Sequence, residues 1–405
     1  MNKILHQGHN AEVLRQYPDS HFDVIITDPP YGIEFLGKDW DSHTGTLETW
    51  RECLRVLKPG GHLLAFSAAR TYHNLATNIE SVGFEIRDQL MWIYSSGFPK
   101  AQDIGKSIDK RGQKNNWHGW KTALKPGHEP IVMARKPFKG STINCVLKNG
   151  VGALNIDVSR IPYEDQADLN TYINNIAGPL ERSTATAGEG IGMHEGKTGF
   201  KVQRGRVKRP QAGNRTASFS FGNKETESGG DGSPEFEANP QGRYPSNVLG
   251  DIPNYQKYFY CPKVSRRERN VGCVDPGPQF QVPHGFDYRM PSKNNADAQA
   301  QVAQVESKSA NGSNNHPTVK PVALMRYLIQ LVTPANSTVL DPFMGSGSTG
   351  MAAVELGHRF VGIDLDANYV TIADRRIQGW CEKNPIETKT ETETKSQSTF
   401  NKLFD

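Results

Sequence analysis

A chain of 405 residues that is 36% hydrophobic, with a mean hydropathy of −0.61, can build one large domain with insertions or two domains, but its core must be diluted by polar segments. Its 47 Lys and Arg against 43 Asp and Glu leave a net charge of +4, which excludes a uniformly basic surface and confines any nucleic-acid contact to local clusters. The five cysteines (Cys53, Cys145, Cys261, Cys273, Cys381) contain no C-x-x-C pair, which argues against a structural zinc site or a disulfide framework and suits a reducing compartment; no metal site is expected. The first residues, Met1-Asn2-Lys3-Ile4-Leu5-His6-Gln7, lack a signal-peptide core and no stretch is long enough to span a membrane, so a soluble cytoplasmic protein is expected.

Ile4-Leu5 reads as a minimal strand, followed by a short helix that Asn10 can cap and that carries Ala11, Val13, Leu14 and Tyr17. The run Phe22-Asp23-Val24-Ile25-Ile26-Thr27 is short and β-branched and reads as a buried parallel strand. It leads directly into Asp28-Pro29-Pro30-Tyr31, where two prolines end the ladder because neither can donate a backbone hydrogen bond. Such a tetrad presents a carboxylate, rigid carbonyls and an aromatic ring at a strand's carboxyl end, where open α/β sheets bind ligands; it is equally a plain turn signal.

After a polar loop, Thr46 can cap a helix with Leu47, Trp50, Cys53, Leu54 and Leu57 at helical spacing, stopped by Lys58-Pro59-Gly60-Gly61. A strand over 62–67, a helix over 71–82 and a strand over 84–94 follow, and this alternation predicts a doubly wound sheet. Gly97-Phe98-Pro99-Lys100 and the basic, amide-rich run to Lys125 read as a loop over the sheet. Residues 129–135 read as an edge strand because of Pro130.

Residues 150–315 are rich in Gly, Ser, Asn and Gln. They hold a basic run from Lys197 to Lys224 without an acidic residue, then an acidic run from Glu225 to Glu237. A more compact island spans 243–261, followed by Lys263-Val264-Ser265-Arg266-Arg267-Glu268-Arg269. Order is expected again from His316: a helix with Leu324, Tyr327, Leu328 and Leu331 on one face, a strand over 338–340, a helix over 351–356, a strand over 360–363 and a helix over 369–377. From Pro385 a Thr/Glu/Lys tail reads as disordered.

The loop Gly345-Ser346-Gly347-Ser348-Thr349-Gly350 lies between a strand and a helix, the context in which glycines let a backbone approach a ligand at a helix N-terminus. Asp364 ends the next strand about twenty residues after the first glycine, where a carboxylate can grip ribose hydroxyls. A nucleoside-containing cofactor follows, and the pattern also satisfies the dinucleotide fingerprint. Three details favour a sulfonium cofactor. Asp341 beside the loop can hold a cationic amino-acid moiety and would repel a pyrophosphate. A nicotinamide domain would need two more strands after Asp364. The opening tetrad also suits methyl transfer to an amine: Asp28 and the Pro29 carbonyl can accept the two N–H groups of an exocyclic amine, aiming its lone pair for in-line displacement, while Tyr31 stacks on the extruded base.

Asp28-Pro29-Pro30-Tyr31 before Asp341-Pro342-Phe343-Met344-Gly345-Ser346-Gly347 resembles the β class of S-adenosylmethionine-dependent DNA amino-methyltransferases, and His316-Pro317-Thr318-Val319-Lys320-Pro321 resembles that family's entry into its cofactor half. The resemblance covers approximately residues 3–94 and 316–379. Gly97-Phe98-Pro99-Lys100, His128-Glu129-Pro130 and Phe259-Tyr260-Cys261-Pro262-Lys263 are similar to a subgroup common in phage and prophage genomes. The resemblance implies an α/β fold with a doubly wound, mostly parallel, seven-stranded-type Rossmann-like methyltransferase sheet, circularly permuted around an inserted target-recognition region.

The implied divisions are a catalytic half (1–150), a recognition insert (151–315), a cofactor half (316–380) and a tail (381–405). Asp28, Pro29, Pro30 and Tyr31 are the implied catalytic residues. Asp341, Phe343, Gly345, Ser346, Gly347, Thr349 and Asp364, with Lys320 nearby, are the implied holders of S-adenosyl-L-methionine. Lys263, Arg266, Arg267 and Arg269 are expected to contact DNA, and the 197–224 run, with Phe219 and Phe221, contacts DNA or is a solvated linker.

One position departs from the family pattern: Gly8-His9 stands where Gly-Asp is usual. Asp-Pro-Pro-Tyr is similar to the form of adenine-N6 enzymes, with cytosine N4 as the alternative. Cytosine-C5 chemistry is rejected, since Cys261-Pro262 reverses the Pro-Cys order and no Pro-Cys occurs. Double-stranded DNA is the implied partner; a homodimer and a cognate restriction enzyme stay open. RNA or protein amide methylation, a silent DNA-binding subunit and a nicotinamide oxidoreductase are the competing readings.

Overall fold

The computed structural model describes residues 2–33, 43–94, 101–163, 165–170, 239–250, 264–273, 314, 316 and 318–385. Chain contacts divide the protein into one unit formed by residues 1–161 and 243–405, and a second formed by residues 162–242. In the second, Asp165 accepts the Asp168 backbone N–H at 2.7 Å and starts a helical stretch over 166–170.

The first unit is built on an eight-stranded sheet: β1 (Lys3–Gln7), β2 (Phe22–Thr27), β3 (Leu57–Phe66), β4 (Glu85–Ile93), β5 (His128–Arg135), β6 (Val248–Gly250), β7 (Thr338–Asp341) and β8 (Arg359–Asp364), in the order β1-β8-β7-β2-β3-β5-β4-β6. Every pairing is parallel except the two made by β5. Successive residues of β2 show why both faces must be covered. Val24 and Ile26 pack into one apolar cluster and Ile25 into another, the period-two alternation of a strand buried on both sides.

One face is covered by α1 (Asn10–Leu14), α2 (Leu47–Val56) and α3 (Tyr72–Ser81), the other by helices from the C-terminal third. The Thr46 side chain accepts the Thr49 N–H and starts α2 as anticipated, with Trp50, Cys53 and Val56 on its buried face. The first helix differs: His9 is its N-cap and makes no side-chain cap bond, while the Asn10 amide donates to the Pro342 carbonyl at 3.2 Å and its Oδ1 accepts the Thr49 hydroxyl at 2.8 Å.

Lys58-Pro59-Gly60-Gly61 ends α2 but belongs to β3 rather than to a turn. The two glycines admit close neighbours: a Cβ on Gly60 would lie 2.2 Å from Cys145 Sγ, and one on Gly61 would lie 2.8 Å from the Asp23 carbonyl.

The 129–135 strand is not at an edge. It is central, between β3 and β4, and tolerates Pro130 because that residue's carbonyl accepts the Ser67 N–H just past the end of β3, where the ladder has finished and no donor is missed. The eighth strand, β6, and the helix α6 (Arg266–Arg269) come from the middle of the expected insert, yet both belong to the first unit, so the 151–315 stretch is not a separate body throughout.

Two helices were not anticipated: α4 (Ile104–Asp109), within the run read as loop, and α5 (Thr142–Asn149), which ends on Gly150 at φ 72°. The C-terminal third contributes α7 (Val322–Val332), α8 (Ser348–Glu355) and α9 (Ala367–Lys383), the last running beyond the expected start of the tail at 381. Among the described residues no helix is long and apolar enough to cross a membrane.

Candidate active site

The parallel strands β1, β8, β7, β2 and β3 all end on one edge of the sheet. Because β2 pairs with β7, the tetrad after β2 lies beside the glycine loop after β7, although more than 300 residues separate them in the chain. A hydrogen bond of 2.7 Å from the Thr27 hydroxyl to Asp341 Oδ1 fastens the two strand ends. Lower down, Asp23 joins the same strands by accepting the Thr338 N–H at 2.7 Å and pairing with Lys58 at 2.5 Å.

Asp341, expected to hold the cofactor, is turned inward. It is 2% exposed; Oδ1 accepts Thr27 and the Phe343 N–H, and Oδ2 accepts the Thr349 hydroxyl at 2.6 Å. Burial pushes its carboxyl up to about 7 in spite of these donors. Phe343 packs beside Trp50, with ring centroids 5.7 Å apart. Ser346 is also buried: the guanidinium of Arg376, fully enclosed on α9, donates to its carbonyl at 2.5 Å and its hydroxyl at 2.9 Å.

Gly345 and Gly347 have φ of 52° and 80°, left-handed values that favour glycine. Side chains are also excluded there, since a Cβ would lie 2.6 Å from His316 Nε2 and 2.9 Å from the Ala373 Cβ, respectively. Asp364, at the end of β8, accepts the Gly345 N–H at 2.8 Å and the Asp366 N–H at 2.9 Å, and burial raises its carboxyl to about 6. His9 is exposed at the end of β1, while the neighbouring Gly8 N–H donates to the Asp364 carbonyl.

Around the tetrad is a cluster that sequence reading only partly named. Lys320 does not lie with the cofactor loop: its ammonium is 2.5 Å from Asp28 Oδ2, 3.0 Å from the Tyr31 hydroxyl and 3.4 Å from Glu129 Oε2. The Tyr31 hydroxyl lies 2.8 Å from Asp28 Oδ1 and 3.0 Å from Glu129 Oε2, so its single proton has two carboxylate acceptors. Tyr94 donates to Glu129 Oε1 at 3.2 Å.

One ammonium therefore serves two carboxylates in a buried place. Burial first, then the charge on Glu129, raises the Asp28 carboxyl in spite of Lys320. For Lys320, burial alone would lower the ammonium, but Asp28 and Glu129 outweigh it and the net shift is upward. Tyr31 is held well above the usual phenol range by burial and both carboxylates. Pro29 is buried.

Of the residues expected to touch DNA, Arg269 is structural: it donates to the His316 carbonyl at 2.7 Å, and its own carbonyl accepts from Asn314. Glu268 accepts the Val322 N–H at 2.8 Å and so caps α7. Arg266 and Arg267 are exposed. Lys263, the 197–224 run with Phe219 and Phe221, Gly97–Lys100, and Tyr258 to Cys261 lie outside the described residues.

Glu129, Tyr94 and Arg376 were not anticipated as site residues. Arg376 had a signal, since it occupies the same helical face as Ile372, Ala373 and Ile377, where an unpaired cation would be costly. Glu129 had only its place in His128-Glu129-Pro130, which says nothing of a partner.

Comparison with known proteins identifies a family and relatives. A family model for N6/N4 methyltransferases, described as DNA methylase, matches residues 22–375. The chain is 36% identical over 191 residues to the Type II methyltransferase M.HindIII of Haemophilus influenzae, covering 35% of this chain and 61% of that protein. It is 35% identical over 97 residues to the Type II methyltransferase M2.LlaDCHI of Lactococcus lactis, covering 23% of this chain and 36% of that protein. The chain thus spans less than two thirds of either relative. Among solved structures, the M1.HpyAVI–SAM complex aligns over 93% of this chain and 99% of its own at 16% identity and a TM-score of 0.39. The cytosine-N4-specific PvuII DNA methyltransferase aligns over 93% and 86% at 14% identity and a TM-score of 0.43. The matched span begins at the first residue of β2, runs through the tetrad and the glycine loop and ends within α9, so this chain belongs to the N6/N4 DNA methylase family.

Proposed function

We propose that the protein transfers a methyl group from S-adenosyl-L-methionine to an exocyclic amine of a DNA base, the N6 of adenine. The observation that carries this reading is the pairing of β2 with β7, which sets Asp28-Pro29-Pro30-Tyr31 beside the 345–350 loop. The residues present fit the donor. Gly345 and Gly347 keep side chains out of the loop, Gly347 begins α8 with its free amide donors, and the Asp364 carboxylate accepts two backbone N–H groups with lone pairs left for ribose hydroxyls. When bound, the donor supplies a methyl group made electrophilic by its sulfonium.

The chain's own residues then position the amine. Asp28 accepts one N–H and the Pro29 carbonyl the other, and the Tyr31 ring supports the base while its hydroxyl is held by the carboxylates. The amine must lose one proton. Asp28 Oδ1 takes it and passes it to the Tyr31 hydroxyl, which releases its own proton to Glu129 Oε2, 3.0 Å away. Lys320 balances one of the two carboxylate charges throughout.

Within residues 151–315, target recognition is the proposed role, with Arg266 and Arg267 as phosphate contacts on duplex DNA and Arg269 excluded by its bond to His316. The Type II relatives support a place in restriction–modification. Nucleoside mass spectrometry of DNA incubated with protein and labelled donor tests the reading. It should reveal 6-methyladenine, absent with Asp28→Ala. Finding 4-methylcytosine alone would move the target to cytosine N4, and label entering RNA or protein in place of DNA would overturn the substrate class. Donor binding without any transfer by the wild type would leave a silent DNA-binding subunit.

A further inference from the structure

The excursion between β4 and β5 is the least explained part of the first unit. It leaves the sheet at Tyr94 and returns at Gly127, and the Tyr94 N–H donates to the Gly127 carbonyl at 3.0 Å, so its stem adjoins the Tyr94–Glu129 contact. Because β4 runs in the same sense as β3, this stem is on the sheet edge that carries the tetrad.

The described part, 101–127, is a built object. Asp103 caps α4, and its backbone forms an isolated antiparallel β-bridge with that of Lys121. The Ile104 N–H donates to the Trp120 carbonyl at 2.9 Å, and Thr122 and Gln102 exchange two further bonds. Gly105 is pressed so closely on His118 that a Cβ would lie 2.7 Å from its Cα.

This fixed backbone holds two tryptophans in the open. Trp117 and Trp120 are 49% and 60% exposed and meet edge to face at 5.2 Å. Large aromatic rings fixed outside any core, side by side, call for a partner. The surrounding charge says which kind. Residues 101–127 carry six cations, Lys106, Lys110, Arg111, Lys114, Lys121 and Lys125, all exposed. The two acids are Asp103, which caps α4, and Asp109, which accepts the Asn115 amide at 2.8 Å. The excess of four cations equals the net charge of the entire chain. Two copies of such a surface repel one another, whereas a polyanion with stackable bases matches both features.

We propose that residues 101–127 form a DNA-docking module, in which the cations bind phosphates on both sides of the target and the Trp117–Trp120 pair stacks on bases next to it. The inference rests on the DNA-methylating reading above and adds a surface to it.

The test uses the full-length protein with S-adenosylhomocysteine and a duplex of about 30 base pairs, with Kd measured over a range of salt. Trp117→Ala with Trp120→Ala should weaken binding by about 5- to 100-fold and leave the salt slope unchanged. A Lys106→Ala, Arg111→Ala, Lys114→Ala, Lys121→Ala variant should reduce the slope of log K against log salt by about 3 to 4. Neither should alter cofactor affinity by equilibrium dialysis, which separates lost docking from lost folding. Unchanged Kd and slope in both variants, on a duplex that the wild type binds, would overturn the module and leave the methylation reading intact. A tryptophan variant whose only defect is a lost dimer in sedimentation would also overturn it, in favour of a second copy. A wild type that binds no duplex would overturn both.

Discussion

The two halves of the site are held together in opposite ways. Around the 345–350 loop the fastening is done by main chain and by exclusion: left-handed glycines with no room for a Cβ, backbone N–H groups on Asp364, and a buried guanidinium on the Ser346 carbonyl. Around Asp28 it is done by charge: one ammonium, two carboxylates and two phenols brought from β2, β4, β5 and the approach to α7. A loop held by backbone geometry resists small electrostatic changes. A cluster with one more carboxylate than ammonium is poised to accept a proton and is correspondingly sensitive to losing its cation.

Removing that cation should have the largest effect on stability. Lys320→Met leaves Asp28 and Glu129 facing each other in a buried place, and chemical denaturation should record a loss of about 3 kcal/mol. An equal loss in an Asp28→Asn, Glu129→Gln, Lys320→Met triple variant would mean that charge is not what holds the catalytic half.

The loop is expected to fail differently. Gly347→Ala puts a side chain at φ 80° and 2.9 Å from the Ala373 Cβ, so cofactor affinity should drop by about tenfold or more while the fold persists. Isothermal titration of this variant, with affinity matching the wild type, would remove the steric argument.

Glu129→Gln keeps the shape of the cluster but removes the proposed proton acceptor. Single-turnover methylation should slow by about 10- to 100-fold with cofactor affinity unchanged. A wild-type rate across pH would reduce Glu129 to a spacer.

The smallest effect concerns Asp364. Its carboxyl is raised to about 6, and ribose hydroxyls donate to the ionised form, so donor binding should be strongest above pH 6 and weaken by up to about tenfold per pH unit below it. Stability follows the opposite sign. A raised folded-state value means that the native protein holds the proton longer, so this group's contribution is complete below pH 4 and lost as pH rises through 6. Asp364→Asn should flatten both dependences; a Tm and an affinity that keep their pH profiles in that variant would locate the titration elsewhere.

How much of this was legible beforehand follows from the nature of each contact. The glycine loop, Asp364 and the tetrad could be read because their chemistry is local: strand, turn and helix follow one another within a few residues, and glycine and proline restrict the backbone wherever they stand. Lys320 is expected near the cofactor because His316–Pro321 precedes the cofactor strand in sequence, whereas in space its side chain reaches across to Asp28. Arg269 was read as a DNA contact because a basic cluster looks the same whether it faces solvent or a neighbour's carbonyl. Pro130 suggested an edge strand because proline lacks a donor, and only the pairing with β3 shows that no donor was needed at that position.

By itself, then, the sequence determined the order of strands and helices over residues 3–94 and 318–383, the two strand-end motifs and the family they resemble, since periodicity, proline and glycine act over a single turn or strand. The tertiary structure alone decided which distant charges meet. It set Lys320 between Asp28 and Glu129, turned Asp341 inward onto Thr27 and Thr349, and left Trp117 and Trp120 in the open. The physical reason is that electrostatic partners are chosen by proximity after the sheet has formed, and strand pairing such as β2 with β7 brings together residues that the linear chain keeps hundreds of positions apart.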